Sequence, residues 1–198
     1  MRLLLILAAA APCLIAENLV SGALLRRVEK RYNGARTLQV HFAETYTQRG
    51  RAARTESGVL YLLKPGRMRW EYTQPAGKLF VCDGKTFFLF SPSTGQVETM
   101  KARETDDMRA PLAFLLGRLH FEKDFQGFTS REERGGVWIS AEPKSANLPY
   151  SKAGFLVMSD ARIERVQVTG QDQSVLEFQF EGERLNPPLK PELFAPLE

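Results

Sequence analysis

The side chains that could do covalent or metal chemistry are few and scattered. Among 198 residues there are two histidines, His41 and His120, and two cysteines, Cys13 and Cys82. Neither histidine has a partner at metal-ligand spacing, so each reads as a structural or surface residue. No serine has the Gly-x-Ser-x-Gly surround of a hydrolase nucleophile. Cys82 lies in a strand-like run without a local activating signal and reads as a small packed hydrophobe. Gly84-Lys85-Thr86 imitates the end of a phosphate-binding loop. The glycine required five residues earlier is Leu79, however, and strand-like segments flank the turn on both sides. The adjacent acids Asp106-Asp107 and Glu132-Glu133 read as a helix start and a solvated turn before they read as metal ligands. The set predicts no enzyme, no catalytic residue, no metal and no cofactor.

The sequence is rich instead in one-sided strands. In Arg67-Met68-Arg69-Trp70-Glu71-Tyr72, three large apolar residues alternate with three charged ones, the pattern of a sheet with one wet and one greasy face. Leu38, Val40, Phe42 and Tyr46 alternate with polar neighbours in the same way. Residues 58–63 form a more continuously apolar strand, ended by the turn signal Lys64-Pro65-Gly66. Residues 78–82 and 86–90 flank Asp83-Gly84 as a hairpin. Further strands are predicted at residues 96–101, 137–142, 155–158, 163–169 and 174–181. Short turns between successive strands predict an antiparallel meander rather than a parallel α/β sheet.

Two helices accompany about ten strands. Residues 17–34 place Leu19, Val20, Ala23, Leu24, Val28 and Tyr32 at three- and four-residue spacing, with Gly34 as the stop. A mid-chain helix begins at Asp106-Asp107, with Met108, Leu112, Leu115, Leu116 and Leu119 along one side and Pro111 near its start. The segment Asn186-Pro187-Pro188-Leu189-Lys190-Pro191 is too proline-rich for a central strand and is expected to cross the surface.

The bulk numbers fit one exported domain. Met1-Arg2 supplies a positive charge, residues 3–11 are an unbroken apolar run, and small residues lead to Ala16. That order predicts a signal peptide at residues 1–16, the alternative being a buried N-terminal helix. The run is shorter than the roughly 18 residues that suggest a membrane span. Pro12 sits where a lipidation signal before Cys13 wants a small flexible residue, so the mature chain is expected to be soluble, with Cys82 as its one cysteine and no internal disulfide. Net charge is +4 for the chain. Its basic residues are interleaved with acids, which argues against nucleic acid as a partner.

A sheet of this length curls, and its greasy face needs a cover. Met68, Trp70, Leu79, Val81 and their neighbours therefore form either an ordinary core or the wall of a lipid cavity. Periodicity alone favours the core, and the thin helical cover, with one helix inserted mid-meander, brings the cavity into competition with it.

The run from Gly58 through Lys64-Pro65-Gly66-Arg67-Met68-Arg69-Trp70-Glu71-Tyr72, then Gln74-Pro75, then Val81-Cys82-Asp83-Gly84-Lys85-Thr86, resembles the LolA family of outer-membrane lipoprotein carriers. The likeness covers nearly all of residues 17–198. It implies a mainly β fold, α+β in class, in which a single curved antiparallel sheet forms an unclosed β-barrel with a helical lid. It also implies a periplasmic monomer that moves lipoproteins from the inner to the outer membrane, carrying their acyl chains in a hydrophobic cavity. Expected partners are acylated lipoproteins, an inner-membrane ABC-type releasing complex (LolCDE-like) and an outer-membrane acceptor (LolB-like). Met68 and Trp70 fall where the family has cavity-wall residues, and Leu79 and Val81 join them as expected lining. Leu112, Leu115 and Leu116 fall on the lid helix. Lys64 falls where well-known members have a lid-contacting arginine, a departure that keeps the charge but loses the planar fork. A solvated turn residue is the alternative for Lys64. A terminal strand present in some relatives is expected to be missing. Two other functions stay open, a sensor of lipids or mislocalised lipoproteins and, less compatible with the residue set, a lipid-cleaving enzyme.

Overall fold

The computed structural model describes residues 20–101, 119–133 and 135–196. The expected signal peptide at residues 1–16 and the mid-chain helix carrying Leu112, Leu115 and Leu116 lie outside the described residues. Eleven antiparallel strands form one sheet in the order β6-β5-β4-β3-β2-β1-β11-β10-β9-β8-β7. They are β1 (Thr37–Thr47), β2 (Arg54–Leu63), β3 (Arg67–Gln74), β4 (Ala76–Asp83), β5 (Thr86–Ser91), β6 (Gln96–Lys101), β7 (Phe125–Glu133), β8 (Gly136–Pro143), β9 (Tyr150–Met158), β10 (Ile163–Gly170) and β11 (Val175–Leu185). Every neighbouring pair is consecutive in sequence except β1 and β11, which join the two halves of the meander. The edge strands β6 and β7 do not pair, so the barrel is unclosed. The expected fold class stands.

Period-two alternation sets the inner face. Leu38, Val40 and Phe42 of β1, Leu60 and Leu62 of β2, and Phe178 and Phe180 of β11 are buried in one core. That core also takes in Phe155 of β9 and Ile139 of β8. Side chains from both halves of the sheet meet in it, as a curled sheet requires.

Helix α1 (Gly22–Gly34) packs on this face through Leu25, Val28 and Tyr32. The expected stripe is corrected in part: Ala23 is exposed and Leu25, not anticipated, is buried. Two side chains fix the helix. Arg31 donates to Glu183 at 2.6 Å, and the Tyr32 hydroxyl donates to the same carboxylate at 2.6 Å while accepting from the Ile163 N–H at 2.9 Å. Burial, then the Glu183 carboxylate, push the Tyr32 pKa far above the ordinary phenol value. A one-turn helix, α2 (Phe121–Asp124), precedes β7.

Three further expectations are corrected. β2 begins at Arg54, four residues earlier than the apolar run, because its first turn of alternation is polar. It also alternates, with Leu60 and Leu62 inside and Val59, Tyr61 and Leu63 half-buried on the other face. β7 was not anticipated. It is an edge strand of mixed polarity, broken by Gly127 at φ +63°, and Glu132-Glu133 end that strand rather than forming a turn. Glu133 is paired there with Arg131 at 3.1 Å and with Arg165.

Gly84-Lys85-Thr86 is the expected hairpin. Gly84 adopts φ +105°, and Asp83 Oδ1 accepts the Lys85 and Thr86 backbone N–H groups at 2.8 Å each. The proline-rich tail crosses the outer surface, as its composition predicts. Thr37 Oγ1 donates to the Pro187 carbonyl at 2.7 Å, Arg36 N–H donates to Asn186 Oδ1 at 2.7 Å, and Phe194 is buried at the far end.

A candidate lipid-binding wall

The inner faces of β1 to β5 and β11 make a continuous aromatic wall. The Phe42 ring stands edge-on to Trp70 at 4.7 Å and to Tyr72 at 5.2 Å. Trp70 tilts against Phe178 at 5.8 Å, which stacks with Phe180 at 6.1 Å. Phe80 stacks on Phe87 at 5.0 Å. Such pairs add about 0.5–1.5 kcal/mol each beyond the area they bury. Gly58 makes the wall possible. A Cβ there would lie 2.1 Å from the Glu71 carbonyl oxygen, so only glycine lets β2 and β3 approach at this irregularity in their pairing.

The register decides which predicted residues belong to the wall. Leu62 faces Met68, and Leu60 faces Trp70. Met68 faces Cys82, and Trp70 faces Phe80. Directly opposed residues share a face, so Met68, Trp70, Phe80 and Cys82 point inward together. Leu79 and Val81 oppose Glu71 and Arg69 and therefore lie on the outer face. The structure thus separates two of the expected lining residues from the other two. Val81 is nonetheless fully buried, because the tail covers it: the Pro191–Phe194 turn packs over β3 and β4, and Arg69 donates to the Leu193 carbonyl at 3.4 Å. Sequence could not set this phase. Leu79-Phe80-Val81-Cys82 is apolar at all four positions and shows no alternation.

Lys64 directly follows β2, beside the last turn of α1. Its ammonium donates to the Tyr32 carbonyl at 2.9 Å and to the Asn33 carbonyl at 2.7 Å. Helix C-termini leave such carbonyls without intrahelical partners, and a cation there also suits the helix dipole. Partial burial pulls the Lys64 pKa below the ordinary lysine value. The Asn33 side chain in turn grips Leu119, donating to its carbonyl at 2.8 Å and accepting from its N–H at 3.0 Å. The solvated-turn alternative is thereby replaced by a helix-capping contact.

The opposite end of the same strands carries polar groups that sequence reading missed. Glu44 of β1 stands directly opposite Glu56 of β2. Glu56 is buried and is paired with Lys78 of β4, with Arg54 3.6 Å away. The Lys78 ammonium lies 4.2 Å from the Tyr72 ring centre, and the Tyr72 hydroxyl reaches Glu44. Burial first, then the Glu56 carboxylate, raise the Glu44 pKa above the ordinary carboxylate value. Glu44 and Glu56 continue the inward phase of Phe42 and Leu60, a signal that was present in the sequence.

Between α1 and the β8–β9 end of the sheet a cleft of about 620 Å³ opens, lined by Leu24 and Arg27 of the helix and Val137, Val157 and Met158 of the strands. Val137 and Val157 oppose each other on the inner face, while Glu133, Gly136 and Met158 bring the cleft round to the outer one.

The geometry defines a class first, an open antiparallel barrel whose concave side is an apolar wall under a helix. The chain belongs to the LolA family, the outer membrane lipoprotein carrier proteins, whose family model matches residues 33–196. It is 30% identical to an outer-membrane lipoprotein carrier protein of Chromobacterium violaceum over 163 residues, covering 82% of this chain and 78% of that one. It is also 30% identical to the protein of that name from Xanthomonas axonopodis over 189 residues, covering 93% and 88%. An uncharacterised conserved protein of Thermus thermophilus shares the fold, with a TM-score of 0.54 at 13% identity over 89% of this chain and 93% of that one. The family is one of carriers, which accords with the lack of a nucleophile set in the sequence.

Proposed function

We propose that this protein takes up the acyl chains of lipoproteins against its concave wall and carries them across the periplasm from the inner to the outer membrane. The observation that supports this most directly is the aromatic wall itself. Phe42, Trp70, Phe80 and Phe178 line one concave face of a sheet whose edge strands β6 and β7 do not pair. Covering acyl chains is worth about 0.8 kcal/mol per methylene, so a long chain cannot cross water unsheltered. The cargo would come from an inner-membrane ABC-type complex and pass to an outer-membrane acceptor. Lys64, by capping α1, would hold the helix closed over the empty wall. The competing closed state then offsets part of the cargo's binding energy and lets it be released without a nucleotide.

Titration of the protein with an apolar fluorophore and a triacylated lipopeptide tests the reading. Saturable one-to-one binding of the lipopeptide, with displacement of the fluorophore, is expected. Absence of competition between the two would overturn it.

A further inference from the structure

Resting on that reading, we propose that Glu44, with Glu56, Tyr72 and Lys78, determines which amphiphiles the wall accepts: acyl chains on a neutral amide or ester head group are admitted and those on an anionic head group are turned away. The four residues come from four successive strands and face the same interior end. Elsewhere the inner side of these strands is apolar, with Leu38, Val40, Phe42, Leu60, Leu62, Met68, Trp70, Phe80 and Cys82. The wall is therefore itself amphiphilic along its length. A bound acyl chain has one favourable orientation, with its hydrocarbon along the aromatic rings and its polar junction at Glu44.

The charges at this end do not balance symmetrically. Lys78 and Arg54 are both paired with Glu56 and also act on Glu44, while Arg49 and Arg51 of the β1–β2 connection are exposed beyond this end. Lys78 is further engaged over the Tyr72 ring, and Arg54 is largely solvated, with 71% of its side chain exposed. From β11 the neighbours are Phe178 and Leu176, opposite Glu44 and Tyr46, which bring no charge. Glu44 is thus a half-buried carboxyl group beside a second carboxylate, with Tyr72 as its donor. A sulfonate, carboxylate or phosphate head arriving beside Glu44 would meet like charge, with Lys78 and Arg54 already held by Glu56. An amide head meets the Glu44 oxygens as acceptors for its N–H and the Tyr72 hydroxyl as a donor for its carbonyl.

Displacement of an apolar fluorophore by two C12 probes below their micelle concentrations decides the matter. N-dodecanoyl ethanolamide is neutral, and dodecanesulfonate is anionic at every pH used. At pH 8 the native protein is expected to bind the amide at least tenfold more tightly than the sulfonate. Burial and Glu56 make Glu44 take up its proton early as pH falls, so the ratio is expected to narrow by pH 5. Glu44→Gln is expected to narrow it at pH 8 and to abolish its pH dependence. Equal affinities in the native protein at pH 8 overturn the selectivity while leaving the carrier reading intact. So does a ratio that Glu44→Gln and pH leave unchanged. If neither probe displaces the fluorophore, the carrier reading itself fails and the selectivity with it.

Discussion

Strands β1 to β4 carry a lysine at each end, and the two are held in opposite ways. Lys64 gives its ammonium to two neutral carbonyls at the last turn of α1. Lys78 gives its own to the buried carboxylate of Glu56, over a tyrosine ring. The first contact links the sheet to a separate element and can be given up when that element moves, since exposed carbonyls are readily rehydrated. The second ties β4 to β2 across β3, and its loss strands a charge inside the wall. One end thus joins the sheet to a helix through neutral acceptors, and the other joins strand to strand through a buried charge pair.

The largest effect that could break this contrast is at the Lys78 end. Lys78→Met leaves Glu56 buried with only the largely solvated Arg54 nearby. Removing one partner of a buried pair costs about 3–5 kcal/mol, and the partial exposure of Lys78 places this site near the lower bound, at about 3 kcal/mol. Urea unfolding of the native and variant proteins measures it. A loss no larger than that of an ordinary surface pair would mean that Glu56 does not depend on Lys78.

Lys64→Leu is next. Charge-assisted hydrogen bonds contribute roughly 1.5–3 kcal/mol, and solvent at the helix end favours about 1.5 kcal/mol. About 1.4 kcal/mol corresponds to a tenfold change in a two-state ratio, so α1 should leave the wall roughly ten times more often. Lipopeptide affinity is expected to equal or exceed that of the native protein, and transfer to acceptor vesicles to slow. Unchanged affinity together with unchanged transfer would reduce Lys64 to a cap.

The smallest effect carries its own sign. The Glu44 pKa is raised on folding, so the folded state binds this proton more tightly than the unfolded chain. Stability from this group is then fully present at pH values below the ordinary carboxylate range and is lost as pH rises through the raised value. Glu44→Gln removes that loss and the like-charge opposition to Glu56, for which cross-strand pairs suggest about 0.2–1 kcal/mol. The variant is expected to melt higher than the native protein at pH 7.5, with the gain vanishing near pH 4. A gain that persists at pH 4 would mean that packing, not charge, distinguishes the two side chains.

Much of this is legible in the residues alone. Arg67-Met68-Arg69-Trp70-Glu71-Tyr72 states its own phase, and the structure turns Met68 and Trp70 inward accordingly. Gln96 to Lys101 and the Asp83-Gly84 hairpin were equally plain. Leu79 and Val81 were not, because an outer cover exists there that only the folded tail supplies: Phe194 reaches β4 from the other end of the chain. A residue's face can be read from alternation only while one side of the sheet meets water. β7 was hidden for the converse reason, since an edge strand with Gly127, Arg131 and two glutamates has too little apolar content to announce itself. Lys64 was expected to reach the carbonyls of the mid-chain lid helix, which lies outside the described residues; the carbonyls it meets are those of Tyr32 and Asn33. Which helix offers them, α1, depends on where the chain returns after β1.

The pairing of β1 with β11 also bears on how the chain assembles. Thr37 and Pro187, 150 residues apart, are hydrogen-bonded at the centre of the sheet, not at its edge. The first strand to be made thus has one side unoccupied until the last strand is complete. Pairings so distant in sequence make for slow folding, in milliseconds to seconds rather than microseconds, and they prolong the time for which a strand edge can pair with the wrong neighbour. A chain of this topology gains from being kept unfolded until its far end has arrived.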